Sequence, residues 1–338
     1  MKRGIALLNE NTGASLTAAV ALFDRALEIR RATFASGDHW AAYLTAASWM
    51  NRGDALTRLA QPEGLEEAVR SYDEAIALMR EVPLEINPLY RRRLAIAWMN
   101  RGITLQQRGT ESDMVAAIES FEQGIAVVRD HPDHVLLLAG AWMNRANALL
   151  RITPPRAEDA HASALNALHL TVETETQDVL AAETSLKSRY IICQAVAERL
   201  AASPGEDATE LTSAATDALE EGMRLAQHWE ASGEKCFRPL LADFFRFGLA
   251  AYRLNQPHFV AEFVREHLDS AHGHALAYDP QMLTLARETL QAIAGDLQSE
   301  GFAAVRTPRF DSHLETLRAL QFVEGRLREL ENPKADPV

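Results

Sequence analysis

One short repeated motif constrains this chain more than any other feature. It reads Trp-Met-Asn-Arg-Gly at residues 98–102, occurs earlier at 49–53, and recurs at 142–146 with alanine in place of glycine. A shortened copy, Met-Lys-Arg-Gly, occupies residues 1–4. Four copies at intervals of 44 to 49 residues predict a repeat protein, in which each copy opens one structural unit.

A second pattern follows each copy of the motif. A small residue is followed by an aromatic residue four positions on and by another small residue three positions later. The four instances are Ala19/Phe23/Ala26, Ala68/Tyr72/Ala75, Ala117/Phe121/Gly124 and the weaker Ala160/Ala164/Ala167. Residues at i, i+4 and i+7 share one face of a helix, and small residues let a neighbouring helix approach closely. Each repeat is therefore predicted to be a pair of helices, A and then B.

The two patterns together resemble the tetratricopeptide repeat. The positions that carry the resemblance are Trp98, Gly102, Leu105, Ala117, Phe121 and Gly124. The resemblance implies an all-α fold, a right-handed α-solenoid of antiparallel helix pairs whose A helices line a concave groove. The repeats are longer than the family norm, and the inserted residues have a helical composition, which predicts extended helices such as one over residues 86–108. Asp38 and Asn87 stand where helix N-caps belong.

The repeats are clear only in the first half of the chain. We predict clear repeats over 1–175, degenerate repeats over 176–272, capping helices over 273–331 and a flexible tail over 332–338. Within the later regions, helices are predicted over 177–202, 207–231, 258–271, 280–299 and 311–331, with a further A helix around Phe244. The chain begins inside its own motif, which suggests a truncated first repeat or the loss of residues upstream.

The motif places three asparagines in register along the A helices. They are Asn51, Asn100 and Asn144. In tetratricopeptide proteins this position commonly faces the groove, and a carboxamide can both donate to and accept from a peptide backbone. The arrangement resembles the asparagine ladders of the O-GlcNAc transferase superhelix and of kinesin light chains. The alternative is that these asparagines cap or brace a neighbouring helix.

Arginines and methionines form two further columns. The arginines are Arg52, Arg101 and Arg145, and the methionines are Met50, Met99 and Met143. The arginines could meet carboxylates of a peptide, but salt bridges to Asp24, Asp73 and Glu122 on the B helices are the favoured interpretation. The methionines could line the groove, since methionine adapts to varied partners, or they could pack in the core.

Composition narrows the class of function. A formal net charge of −13 argues against nucleic acid as the main ligand, because phosphate binding needs a basic surface. No apolar segment approaches the roughly 18 residues of a membrane helix. The histidine pairs His131/His134 and His272/His274 lack a third metal ligand nearby. We therefore predict no catalytic site, no metal and no cofactor.

These features predict a non-catalytic scaffold or adaptor that binds a protein or an extended peptide in its groove. The alternative is a ligand-gated regulator that binds a small molecule or a signalling peptide. Neither nucleic acid nor membrane is expected as a partner, and self-association through the N-terminal end is an option. Two cysteines without metal-like spacing favour a reducing, cytoplasmic location.

Overall fold

The computed structural model describes residues 1–33, 38–202, 208–255, 259–268, 275–299 and 308–331. Helices account for the secondary structure of these residues, and short 3-10 turns occur at Pro132–His134 and Ala275–Tyr278. The helices are α1 Lys2–Glu10, α2 Gly13–Thr33, α3 His39–Leu59, α4 Pro62–Arg80, α5 Pro88–Arg108, α6 Glu111–Val128, α7 Val135–Arg151, α8 Ala157–Thr171, α9 Val179–Ala202, α10 Ala208–Ala231, α11 Arg238–Asn255, α12 Val260–Leu268, α13 Pro280–Ser299 and α14 Pro308–Glu331. In the described ranges, no helix is long and apolar enough to cross a membrane.

The chain divides into two compact units. The first unit contains the described residues of 1–173 and 194–206, and the second contains those of 174–193 and 207–338. In the first unit each helix from α1 to α8 packs on the next, and the A helices α3, α5 and α7 also pack side by side. Helix pairs that stack in chain order form an α-solenoid, so the predicted all-α solenoid is confirmed.

The second unit is built from the same kind of contact between helices. Here α10 and α12 each pack on α11, and α13 packs on α14. The predicted borders at 175, 272 and 331 stay predictions, and the predicted flexible tail, 332–338, lies outside the described residues. So do His272 and His274.

The A helices are extended, as their composition predicts. Helices α3 and α5 each contain 21 residues, which corresponds to about 31 Å at 1.5 Å per residue. Their N-terminal caps are the predicted ones: Asp38 accepts a hydrogen bond from the backbone N–H of Ala41 at 2.8 Å, and Asn87 accepts one from Leu89 at 3.0 Å.

The motif glycine and the B-helix aromatic residue form the central contact of each pair. A Cβ atom added to Gly102 would lie 2.6 Å from Cε1 of Phe121, closer than real Cβ atoms come. Gly4 and Gly53 are equally close to Phe23 and Tyr72, at 2.8 Å. The aromatic ring therefore occupies the space that any larger residue at the glycine position would need.

The fourth pair shows the same contact with both residues changed. Its A helix has Ala146 where the others have glycine, and its B helix has Ala164 where the others have a ring. Both alanines are fully buried. A methyl group is tolerated at the first position because the ring is missing at the second.

Candidate functional site

The motif arginine joins three helices. Arg101 on α5 donates from Nε to Oδ1 of Asp73 on α4 at 2.7 Å, and from Nη1 to Oγ of Ser120 on α6 at 2.7 Å. Its side chain is 20% exposed, and its guanidinium lies 5.8 Å from the ring centroid of Trp98. One side chain thus ties an A helix to the B helix before it and to the B helix after it.

The same arrangement recurs at the other two copies. Arg52 bonds Asp24 at 2.7 Å and Ser71 at 2.9 Å, and Arg145 bonds Glu122 at 2.8 Å and Ser163 at 2.5 Å. The predicted ion pairs are therefore present, and the three guanidinium groups are engaged within the fold.

Arg52 has one further partner, Glu67 at 2.8 Å. Burial lowers the pKa of Arg52, but hydrogen bonds and charges from Asp24 and Glu67 outweigh it and raise the pKa above its usual value. This arginine consequently keeps its charge despite being mostly buried.

The serines in these contacts were not anticipated from the sequence. Each stands immediately before the aromatic position of its B helix, as in Ser71-Tyr72 and Ser120-Phe121. This adjacency is the sequence signal that could have identified them, because a residue one position from the ring lies beside the contact between the two helices.

We expect Arg101→Ala to lower the free energy of unfolding by about 1–2 kcal/mol, because it removes two hydrogen bonds, one of them within an ion pair, and the packing of the side-chain stem. Urea denaturation followed by circular dichroism measures this. The matched control is Arg70→Ala, which removes the exposed pair of Arg70 with Glu66 and should cost less than about 0.5 kcal/mol. Equal losses in the two variants would contradict the role given to Arg101.

The structure places the methionine column mainly between helices. Met50 is 4% exposed and belongs to the core formed by α3, α4 and α5. Met99 lies against Gly124 of α6 and Gly140 of α7. Met143 is half-buried. Met50 and Met99 occupy the packing position that was the alternative to a groove-lining role, and at Met99 the small residues Gly124 and Gly140 leave space for a long flexible side chain.

The three asparagines of the column differ in the residues that surround their side chains. All three asparagines are half-buried. The side chain of Asn100 lies beside the Tyr72 hydroxyl, as do those of Thr57 and Thr104, and all three act to lower the pKa of Tyr72. Burial, supported by the charge of Asp54, raises the pKa of Tyr72. Asn100 therefore braces the preceding B helix, as the alternative interpretation foresees.

Asn51 and Asn144 have different surroundings. The B-helix rings at the equivalent positions are Phe23 and Phe121, which have no hydroxyl group to bond. Neither carboxamide makes a hydrogen bond with any described residue. These two side chains are consequently available to a ligand, whereas Asn100 is already engaged.

Two exposed apolar residues share a helix face with the motif asparagines of α3 and α5. Trp40 is 50% exposed and Leu89 is 45% exposed, each at the second position of its A helix. Each lies eleven residues before the motif asparagine of its helix, Asn51 or Asn100. At 100° per residue they fall within about 20° of each other around the helix axis. The sequence signal is an apolar residue in a first turn, where polar residues are usual.

The polar end of the same face is also exposed. Arg58 and Gln107 lie seven residues after Asn51 and Asn100, and both are exposed. Arg58 is paired with Asp54 at 2.9 Å. We call the set Trp40, Asn51 and Arg58 on α3 with Leu89, Asn100 and Gln107 on α5 the A-helix strip. It is apolar at one end and polar at the other.

Metal-ligating side chains and cysteines are the remaining candidates for chemistry. Across the described ranges, no three His, Cys, Asp or Glu side chains are arranged to hold a metal ion. Both cysteines are free thiols, and burial raises the pKa of Cys193 to about 12, so this thiol is protonated at neutral pH and is a poor nucleophile.

Comparisons with known proteins show a weak likeness to solved structures. No family model matches the chain, and no curated protein is significantly similar to it. Among solved structures, a circular tandem repeat protein with novel repeat topology and enhanced subunit contact surfaces is 13% identical, with a TM-score of 0.41, over 95% of this chain and 78% of that one. What the chain itself shows is a helical repeat protein, while the tetratricopeptide repeat remains a resemblance carried by its motifs.

Proposed function

We propose that the first unit is a non-catalytic scaffold that binds an extended peptide segment of a partner protein along its A helices. The observation that carries this proposal is the A-helix strip, in which an exposed apolar residue and a motif asparagine share one face on both α3 and α5.

The chemistry of the strip suits such a ligand. Trp40 and Leu89 offer apolar area for a side chain of the peptide, at roughly 25 cal/mol per Å² buried. The carboxamide of Asn51 can donate to a backbone C=O and accept from a backbone N–H. Helices α3 and α5 pack side by side, so their strips can be used together by one segment.

Asn144 extends the strip onto α7. Seven residues after it, at the end of α7, Arg151 is exposed and forms no ion pair within the described ranges. A peptide with an apolar residue at one end and a carboxylate at the other would match the strip. The two free thiols support a reducing, cytoplasmic setting for this activity.

A display library of random twelve-residue peptides tests the proposal without a known partner. We expect peptides selected on the wild-type chain to bind the variant Trp40→Ala/Asn51→Ala at least tenfold more weakly, a loss of about 1.4 kcal/mol or more. Trp40 stacks on Tyr43 with 5.0 Å between ring centroids, but Trp40 and Asn51 are both partly exposed, so the fold should be retained.

The matched control is Leu165→Ala/Asn166→Ala, which changes the same classes of residue at exposed positions of the B helix α8. Its affinity for the selected peptides should equal that of the wild type. The proposal fails if no peptide is enriched over an unrelated helical protein, or if the two double variants bind the peptides equally well.

A further inference from the structure

The second unit contains a cleft that is larger than the depressions of the first unit and differs from them in its charged residues. It lies between α10 and α12, above α11, and has a volume of about 520 Å³, within the range of small-molecule sites. The side chains that matter to its chemistry are Glu220, Gln227, Tyr252, Glu262, Phe263 and Glu266. They combine an aromatic wall with a surplus of carboxylates.

The aromatic wall is formed by two rings. Tyr252 of α11 and Phe263 of α12 lie 5.2 Å apart between centroids, tilted by 42°. Phe263 is buried against Phe245, at 5.4 Å, and Gly248 of α11 lies directly against its ring. The wall is therefore held in place by the glycine–aromatic contact that also organises the first unit.

Three carboxylates face the cleft from both sides. Glu220 comes from α10, and Glu262 and Glu266 come from successive turns of α12. Within the part of the chain that the structure describes, none of the three forms an ion pair. Burial raises the pKa of Tyr252, and the charges of these three glutamates add to the effect, which shows that they act on the same small region.

The first unit neutralises its corresponding carboxylates with the motif arginine. Glu122, which pairs with Arg145, directly follows the ring of Phe121 in its B helix. Glu220 holds the same place in α10, after Leu219 in the pattern Ala215-x-x-x-Leu219-x-x-Gly222. Glu220 is thus the counterpart of a residue that is elsewhere paired with an arginine.

That arginine is missing from α11. Gly248 takes the place of the motif glycine, as its contact with Phe263 shows. The residue before it, which is Arg101 next to Gly102, is Phe247 here. The related depressions of the first unit measure about 330 and 300 Å³ and contain their arginine, whereas the larger cleft has carboxylates without it.

Two further residues of the cleft are consistent with a site for a bound cation. Arg224 lines the cleft, but it is paired with Glu221 on its own helix. The Nε2 atom of Gln227 is buried without a hydrogen-bond partner among the described residues. Rotation of this carboxamide by 180° presents its oxygen instead, which can accept from an ammonium group.

We infer that the cleft between α10 and α12 binds a small organic cation, an ammonium group carried on an apolar or aromatic body. The ammonium group supplies the positive charge that an arginine at position 247 would bring to the carboxylates, and the rings of Tyr252 and Phe263 supply cation–π and apolar contact. A metal ion fits less well, because across the described ranges no three carboxylates converge closely enough to ligate one.

Isothermal titration calorimetry on the full chain tests this inference with three probes of one shape. We expect 2-phenylethylamine to bind, while neutral 2-phenylethanol and anionic 3-phenylpropionate do not. The variant Glu220→Gln/Glu262→Gln should bind the amine at least tenfold more weakly. The charge-matched control Asp217→Asn/Glu288→Gln, at exposed positions of α10 and α13 outside the cleft, should bind it as the wild type does.

A second variant restores the residue that the repeat pattern predicts. Phe247→Arg should abolish amine binding, because the new guanidinium can pair with Glu220 as Arg145 pairs with Glu122. The inference is overturned if the amine does not bind the wild type, if the alcohol binds as well as the amine, or if Glu220→Gln/Glu262→Gln binds as tightly as its control. These outcomes are independent of the peptide experiment, since the two sites share no residue.

Discussion

Replacing Gly102 with alanine is expected to destabilise the chain by about 1–3 kcal/mol, although the same change in an open helix stabilises by about 1 kcal/mol. The added Cβ would lie 2.6 Å from Cε1 and 2.7 Å from Cζ of Phe121. That ring is completely buried, so it cannot move aside without disturbing α6. Urea denaturation followed by circular dichroism gives the size and, more importantly, the sign of the change.

Gly295→Ala is the matched control. Gly295 lies inside α13, and a Cβ added there would meet nothing within 4 Å, so this substitution should stabilise the chain by about 0.5–1 kcal/mol. Stabilisation by Gly102→Ala as well would contradict the contact described between glycine and ring.

The fourth repeat suggests how the strain at Gly102 can be relieved. Since Ala146 stands opposite Ala164 there, the double variant Gly102→Ala/Phe121→Ala copies an arrangement that the chain already uses. Phe121→Ala alone should cost about 3–5 kcal/mol. The double variant should cost less than the sum of the two single ones, with a coupling energy of about 1–3 kcal/mol. Simple additivity would mean that the two residues do not share the space.

The helices and their pairing could be predicted because they depend on residues that recur. Trp98, Gly102 and Phe121 each occupy a position set by helical periodicity, and the copies confirm one another. The helix N-caps could also be predicted, since Asp38 and Asn87 accept hydrogen bonds from backbone N–H groups in the first turn of the helix that each of them begins. Even the ion pairs of the arginine column follow from periodicity, because an acid recurs one residue after the aromatic residue in each of the first three B helices.

What could not be predicted depends on a single departure from the repeat. Asn100 differs from Asn51 and Asn144 only because Tyr72 carries a hydroxyl where Phe23 and Phe121 carry none. Recognising this requires knowing that the asparagine meets the preceding B helix. Met50 was equally ambiguous, since a methionine beside a groove and a methionine in a core have the same spacing.

The cleft of the second unit could not be predicted from the sequence for the same reason. The patterns around Glu220 and Phe247 are weak once the repeat fades, and the contact of Gly248 with Phe263 establishes how they align with the earlier pairs. That Phe247 replaces the motif arginine is recognised only when the contacts of the neighbouring residues are known. The most informative positions of this chain are therefore those where a repeated contact loses one partner.

Arg189 provides the second large effect. It is 4% exposed and forms two hydrogen bonds with the carboxylate of Glu175, at 2.7 and 3.0 Å, and a third with Ser185. The indole of Trp229 donates to the backbone carbonyl of Glu175 at 2.9 Å. We expect Arg189→Met to lower the free energy of unfolding by about 3–5 kcal/mol, because it leaves a buried carboxylate without its partner.

The effect of the unpaired buried charge can be separated from the effect of lost side-chain packing. Glu175→Gln/Arg189→Met removes both charges and should recover part of the stability, since much of the cost of the single variant is the unpaired charge rather than the pair itself. Arg224→Met removes an exposed ion pair with Glu221 and should change stability by less than about 0.5 kcal/mol. Urea denaturation of the three variants decides the matter. If the double variant is no more stable than Arg189→Met, the buried charge is not the cause, and the packing of the arginine stem between α9 and its neighbours must account for the loss instead.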